Sequence, residues 1–252
     1  MTQLSVNINK LATLRNSRGK NNPDLSSWVT RIEAEGVHGI TVHPRPDERH
    51  IRYQDVRVLR PLVRTEFNIE GYPDEAWMRL VEEVQPAQAT LVPDPPHALT
   101  SDAGWLVQAQ ASTLEAVVKR LKRQRLRVSL FVDPKTFSTE DARIARDLGV
   151  DRVELYTEAF AEAHAKPEAL NSPALIEQLK AYRQAADQAL ACGLGLNAGH
   201  DLNLENLPTL LQQIPEIQEV SIGHALICDA LNYGMVETLR RYLAATQSPQ
   251  RR

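Results

Sequence analysis

Short runs rich in Val, Ile and Leu recur along the chain, and longer amphipathic stretches separate them. Apolar runs bounded by turn residues predict β-strands, whereas amphipathic stretches predict helices. The predicted strands cover residues 4–9, 38–44, 66–71, 88–94, 127–133, 152–158, 194–199 and 219–224. The predicted helices include one that ends at 36 and others over 53–65, 74–84, 114–123, 138–149, 172–192, 203–214 and 227–245.

Regular alternation of strands and helices favours a parallel sheet with helices outside it. Eight such units within 252 residues predict an α/β fold, a single (β/α)8 TIM barrel over residues 1–245 with a short disordered tail at 246–252. The alternative is an open, doubly wound sheet. That fold usually has a glycine-rich turn after its first strand, and residues 9–12 contain no glycine.

The amino-acid composition limits which partners and which cellular location are expected for this chain. The chain has 29 basic and 32 acidic side chains, so no basic excess exists to neutralise a nucleic-acid backbone. No apolar stretch approaches the ~20 residues that span a bilayer. The two cysteines, Cys192 and Cys228, form no CxxC pair, which argues against a disulfide framework or a thiolate zinc site. We therefore expect a cytoplasmic protein that binds neither membranes nor nucleic acid.

Sorting the predicted strands by parity separates apolar from polar positions. One parity is apolar and is expected to face the helices. The other parity would point into the barrel and carries Ser5, Asn7, Asn9, Thr41, His43, Glu66, Asn68, Glu70, Ser129, Asp133, Glu154, Tyr156, Asn197, Ser221 and Gly223. Buried polar groups are costly unless they pair with each other, with water or with a ligand. Mutual pairing around buried waters is the simplest interpretation for Ser5, Asn68 and Ser129.

Three titratable residues stand at or just after the carboxyl ends of predicted strands, where barrel enzymes place their sites. They are His43, Glu70 and His200. Together they predict a centre for proton transfer, with zinc ligation by the same three side chains as the alternative. A Schiff-base aldolase is excluded, because no predicted strand carries an inward lysine.

Two glycine-containing loops follow the last two predicted strands. They have the sequences Asn197-Ala198-Gly199-His200 and Ile222-Gly223-His224-Ala225. Loops at these places commonly bind phosphate in barrels, since glycine lets backbone N–H groups approach an anion. The alternative is that both are only tight turns. Arg18 and Arg45 are candidates for holding a second anion.

Several motifs occur in a fixed order along the chain: Val6-Asn7-Ile8, Gly39-Ile40-Thr41-Val42-His43, Asn68-Ile69-Glu70, Val128-Ser129-Leu130-Phe131, Asn197-Ala198-Gly199-His200 and Ile222-Gly223-His224-Ala225. Over nearly its whole length, the chain resembles the pyridoxine 5′-phosphate synthase family. The resemblance implies a transferase of vitamin B6 biosynthesis that needs no cofactor and no metal. It would condense 1-deoxy-D-xylulose 5-phosphate with 3-amino-2-oxopropyl phosphate, giving pyridoxine 5′-phosphate, inorganic phosphate and water.

The same resemblance implies roles for individual residues. His43 and Glu70 would be proton acceptors, and His200 a proton donor. The amino-ketone phosphate would be held by Asn7, Arg18, Asp201, Gly223 and His224. The sugar phosphate would be held by Asn9, Lys10, Arg45, His50 and Thr100. Two departures are present: Asn9-Lys10 replaces a common Asp-His pair, and Asp201 replaces a common glycine.

Two further expectations concern assembly and motion. The family typically forms a homo-octamer, and residues 96–110 are long for a strand-to-helix loop, which predicts a lid over the site. Two other functions remain open at this point. One is a phosphosugar isomerase or epimerase without a cofactor, which needs a single phosphate site. The other is a protein that binds pyridoxine phosphate without making it.

Overall fold

The computed structural model describes residues 1–94, 103–166 and 172–247. Eight parallel strands close into one barrel, in which each strand pairs with its sequence neighbour and the last pairs with the first. The strands are β1 (Gln3–Asn7), β2 (Gly39–Val42), β3 (Glu66–Gly71), β4 (Gln88–Leu91), β5 (Arg127–Val132), β6 (Arg152–Tyr156), β7 (Gly195–Gly199) and β8 (Glu219–Ile222). The prediction of a (β/α)8 barrel is confirmed, and the open-sheet alternative is wrong.

Helices surround the barrel. They are α1 (Asn9–Asn16), α2 (Leu25–Ala34), α3 (Tyr53–Leu59), α4 (Glu75–Val84), α5 (Ala111–Arg123), α6 (Thr139–Asp147), α7 (Glu158–His164), α8 (Pro173–Ala191), α9 (Leu207–Gln213), α10 (His224–Tyr233) and α11 (Met235–Thr246). Local side chains define several starts. Ser138 and Ser172 accept hydrogen bonds from backbone N–H groups in the first turns of α6 and α8. Such caps satisfy donors that have no partner within the helix.

The structure differs from the sequence prediction at several places, among them the end of the helix predicted over 53–65, which stops at Leu59, and the start of the one predicted over 203–214, which begins at Leu207. Asn9, predicted as the last residue of the first strand, instead begins α1. Helices α1 and α7 were not predicted. The single helix predicted over 227–245 is divided at Gly234, whose φ of 75° a helix cannot contain. Thr246 ends α11 and is buried, so the helical body extends one residue past 245.

The apolar parity of the strands packs against the helices, as predicted, and forms one continuous core. Large side chains from both layers are fully buried in it, among them Phe67 of β3, Trp77 of α4 and Tyr182 of α8. Of the described helices, none is long and apolar enough to cross a membrane.

A network of polar side chains fills the barrel interior at the end where the strands begin. Arg127 forms hydrogen bonds with Glu66 and Gln88, and Arg152 forms a hydrogen bond with Asn197. Glu219 is 4% exposed and lies 3.5 Å from an Arg152 nitrogen. The charges of this layer therefore compensate one another, which lowers the cost of burying them.

The next layer is joined by hydroxyl and amide hydrogen bonds. Ser5 and Thr41 share a hydrogen bond of 2.7 Å, Asn68 donates to Thr41, and Thr90 donates to Asn68. Mutual pairing is thus confirmed for Ser5 and Asn68. The Ser129 hydroxyl has no hydrogen-bond partner among the described residues, so for Ser129 the interpretation stays a prediction.

Removal of Arg127 tests the charge network. We expect Arg127→Leu to lower the free energy of unfolding by about 2–4 kcal/mol, because Glu66 and the buried Glu219 lose a compensating charge. Urea unfolding at fixed protein concentration measures the loss. The control is Arg57→Leu, which removes an exposed ion pair with Glu83 and should cost about 1 kcal/mol or less. Equal losses in the two variants would contradict a stabilising role for the interior network.

Candidate functional site

A cavity of about 600 Å³ opens at the carboxyl ends of the strands. It is lined by every predicted site residue except Arg18 and Thr100, namely Asn7, Asn9, Lys10, His43, Arg45, His50, Glu70, His200, Asp201, Gly223 and His224. Arg18 follows α1 and is exposed, and Thr100 lies outside the described residues. One cavity therefore collects the three candidate proton-transfer groups and most of the candidate phosphate ligands.

The backbone at Glu70 is fixed by a packed tryptophan. The Trp77 indole donates a 3.0 Å hydrogen bond to the Glu70 carbonyl. Gly71 follows, and a Cβ at that position would lie 2.2 Å from the Trp77 Nε1 atom. Position 71 must therefore be glycine for the indole to reach Glu70. This contact between β3 and α4 sets where the Glu70 side chain enters the cavity.

The Glu70 carboxyl lies among neutral polar groups. It accepts hydrogen bonds from Ser221 at 3.3 Å and from Asn7 at 3.4 Å. Its Oε2 atom is 3.8 Å from Nδ1 of His43. That distance exceeds a hydrogen bond, yet it leaves both groups within reach of one substrate. His43 is held from the other side, because its backbone N–H donates to the Asn9 side chain at 3.0 Å.

Burial shifts the pKa values of Glu70 and His43 in opposite directions. Desolvation raises the pKa of the Glu70 carboxyl to about 7. Desolvation, with the charge of Arg45 adding to it, lowers the pKa of His43 well below its ordinary 6.5. Both shifts have the same physical cause, since a confined cavity disfavours any charged form. At neutral pH the imidazole of His43 is therefore neutral, and Glu70 exchanges its proton readily.

A second carboxyl, Glu154 of β6, lies in the same cavity. It is 3% exposed, and burial together with nearby Glu70 raises its pKa well above 4.5. A Cβ at position 199 would lie 2.4 Å from its Oε1 atom, so Gly199 makes room for it. Sequence analysis placed Glu154 on the inward parity but did not choose it as a site residue. Its position within a strand, away from a loop motif, is why it was missed.

His200 is held in an unusual backbone conformation. Its φ is 86° and that of Asp201 is 55°, both in the left-handed region that few side chains adopt. The Thr157 hydroxyl donates to the carbonyls of Gly199 and His200, and the Tyr156 ring packs edge-on against the imidazole at 5.0 Å. These contacts from the end of β6 fix the loop after β7.

Basic side chains gather on one side of the cavity. Lys10, Arg45 and Arg49 line it, and Arg45 forms a buried ion pair of 2.6 Å with Asp94. Burial, with Arg45 and Lys10 nearby, lowers the pKa of His50 to about 4. A neutral imidazole among fixed cations is suited to hold a phosphate by hydrogen bonds without adding charge.

The start of α10 also lines the cavity. Gly223 and His224 lie at its first turn, where unpaired backbone N–H groups favour an anion. A Cβ at position 223 would lie 3.0 Å from the Asn7 Cβ atom, so glycine allows β1 and β8 to meet closely here. The cavity lining thus contains two kinds of anion-favouring feature, the basic side chains and the start of α10.

The geometry does not support zinc ligation by His43, Glu70 and His200 together. Among the described residues, the side chains close enough to share an ion are Glu158, His200 and Asp201, whose ligand atoms lie within 4.8 Å of one another.

The expected lid covers residues 96–110, of which 96–102 lie outside the described residues. Within 103–110, Trp105 is buried and its indole donates to the Leu91 carbonyl at 2.9 Å.

Comparison with known structures supports the barrel fold. The crystal structure of 3-hexulose-6-phosphate synthase matches with a TM-score of 0.60 over 97% of this chain and 99% of that chain, at 15% identity. That of 3-keto-L-gulonate-6-phosphate decarboxylase from Vibrio cholerae matches with a TM-score of 0.62 over 98% and 97%, at 13% identity. At such low identity these similarities show the barrel and nothing further.

Sequence comparison is far more specific. The model of the family described as "Pyridoxal phosphate biosynthesis protein PdxJ" matches residues 4–248. The pyridoxine 5′-phosphate synthase of Cytophaga hutchinsonii is 53% identical over 244 residues, which cover 96% of this chain and 98% of that protein. The enzyme of the same name from Parabacteroides distasonis is 50% identical over 248 residues, covering 98% and 100%. The chain belongs to the PdxJ family of pyridoxal phosphate biosynthesis proteins.

Proposed function

We propose that this protein is a pyridoxine 5′-phosphate synthase. It would condense 1-deoxy-D-xylulose 5-phosphate with 3-amino-2-oxopropyl phosphate, releasing pyridoxine 5′-phosphate, inorganic phosphate and water. The observation that carries the proposal is that neutral His43 and Glu70, a carboxyl of near-neutral pKa, lie 3.8 Å apart in one cavity that is also lined by basic side chains and the start of α10. Full-length relatives at about 50% identity carry this enzyme name.

The proposed reaction depends on moving protons. Imine formation, loss of phosphate, enolisation and ring closure each need a group that accepts or donates a proton near neutral pH. We assign His43 and Glu70 as acceptors, because the first is neutral and the second exchanges its proton near pH 7. His200 is assigned as a donor. Protonated Glu154 would donate a hydrogen bond to an oxygen that gains negative charge.

The two anion-favouring features suit two phosphorylated substrates. We place the amino-ketone phosphate at the start of α10, beside Asn7, Gly223 and His224. The sugar phosphate would lie near Lys10 and Arg45, with His50 and Asn9 completing that side. Because Arg45 is paired with Asp94, binding there requires the phosphate to share or replace that carboxylate. The octameric assembly and the cytoplasmic location belong to this proposal.

An isomerase or epimerase would use the same acid–base groups but only one phosphate region. The experiment that separates the possibilities incubates the full chain with each substrate alone and with both together. Mass spectrometry then follows pyridoxine 5′-phosphate, and a colorimetric assay follows inorganic phosphate. Product formation only with both substrates supports the synthase. Turnover of one substrate alone supports an isomerase, and binding of pyridoxine phosphate without phosphate release supports a binding protein.

Conservative substitution tests the two acceptors. We expect Glu70→Gln and His43→Asn each to reduce kcat at least ~100-fold, because each removes a proton acceptor while keeping similar volume. Circular dichroism should show an intact fold. The matched control is Glu83→Gln, an exposed carboxyl on α4 outside the cavity, which should keep normal turnover. Near-normal rates in either cavity variant would overturn that residue's assignment.

The raised pKa of Glu70 predicts a pH dependence of both activity and stability. As an acceptor, Glu70 must be ionised, so kcat/KM should rise with pH and reach half its maximum near pH 7. The folded state holds this proton more tightly than the unfolded chain does. Stability from this group is therefore present below the ordinary pKa of 4.5 and is lost as pH rises through about 7.

The stability part is measured by urea unfolding at several pH values. As pH rises from 4.5 to about 7, the free energy of unfolding of the wild type should fall by up to about 3 kcal/mol more than that of Glu70→Gln. An activity limb near pH 4.5, or identical pH profiles of stability in both proteins, would contradict the shift.

A further inference from the structure

The loop after β7 brings a carboxylate against the His200 imidazole. The Nδ1 atom of His200 lies 3.1 Å from Oδ2 of Asp201, its neighbour in sequence. Residues adjacent in a chain seldom pair through their side chains, because extended backbone points them apart. Here both residues are in left-handed conformations, which turn the two side chains toward each other. The pairing is therefore a product of the loop geometry.

That geometry is firmly held. The Asp201 carbonyl accepts a 3.0 Å hydrogen bond from the Asn206 side chain, which is 1% exposed. Asn206 also accepts a hydrogen bond from the Asn203 backbone at 2.8 Å. The Thr157 hydroxyl holds the carbonyl of His200 from the other side. Aspartate tolerates a left-handed backbone better than most residues, so this position accepts it at modest cost.

The charge on Asp201 argues against direct contact between its side chain and a phosphate. The 3.1 Å contact with the His200 imidazole is the largest cause that lowers the pKa of the Asp201 carboxyl below its ordinary value, so this group stays ionised at neutral pH. A carboxylate repels a phosphate anion at short range. The remaining charged groups that face it are His224 of α10 and Lys10 of α1, and Glu158 of α7 lies nearby. The partner that this carboxylate fits is the imidazole.

We propose that Asp201 is a positioning residue that acts through His200. Its carboxylate accepts the Nδ1–H of the imidazole, which fixes the ring and its tautomer and directs Nε2 to the substrate. Carboxylate–histidine pairs elsewhere orient the ring in this way. The assignment rests on the proposed role of His200 as proton donor.

Two variants separate this role from a structural one. Asp201→Gly removes the carboxylate and suits the φ of 55°, so the loop should keep its shape. Asp201→Asn keeps the size and one acceptor oxygen but loses the charge, and asparagine also tolerates this conformation. We expect kcat to fall about tenfold or more in the glycine variant and less in the asparagine variant. KM for both substrates should change less than about threefold, since the side chain does not bind phosphate.

The direct readout is the tautomer of His200 in the full chain, which needs no turnover. Nitrogen-15 NMR of histidine-labelled protein, with His200→Gln to assign the signal, should show Nδ1–H as the major neutral form in the wild type. That form should decrease in Asp201→Gly. Glu205→Gln, an exposed carboxyl in the same loop, is the control and should change neither tautomer nor kcat.

The outcomes are separable. An unchanged tautomer in Asp201→Gly, or a raised KM with normal kcat, would overturn the positioning role and favour phosphate binding at this position. If the wild type made no pyridoxine phosphate while the tautomer still depended on Asp201, the proposed function would fail and the contact would stand.

Discussion

Desolvation of ionisable groups at the carboxyl end of the barrel is the constraint on which the site depends. In water, a carboxyl is ionised and an imidazole is partly protonated at neutral pH. Inside the cavity, burial raises the pKa of Glu70 to about 7 and lowers that of His43 well below 6.5. Glu70 can then exchange its proton near neutral pH, and His43 is neutral and able to accept one. The chemistry therefore follows from a shape that limits access of water, more than from the residue types alone.

The rest of the barrel interior lowers the free-energy cost of burying polar and charged side chains. Polar side chains fill the interior below the cavity, where Arg127 and Arg152 compensate buried carboxylates such as Glu219. Hydroxyl and amide groups of the next layer satisfy one another, as Ser5 does with Thr41. In the cavity itself, the Oε2 atom of Glu154 has no hydrogen-bond partner among the described residues.

Sequence could predict the features that follow from periodicity. Eight strands, the apolar outward parity and the polar inward parity came from alternation alone, and closure of the barrel then brought His43 and Glu70 together. The sequence did not predict features that depend on contacts between side chains distant along the chain. No local signal pairs Arg45 with Asp94, and none shows that Gly199 leaves room for Glu154. The break at Gly234 was missed because a glycine can lie within a helix as well as end one.

The most direct test of this account is the titration of Glu70 itself. Carbon-13 NMR of glutamate side-chain carboxyls in the full chain, with Glu70→Gln to identify the signal, measures its pKa without reference to activity. The account predicts a midpoint near pH 7. A midpoint near the ordinary value of 4.5 would show that the cavity does not desolvate this carboxyl, and the proposed acid–base chemistry would lose its physical basis.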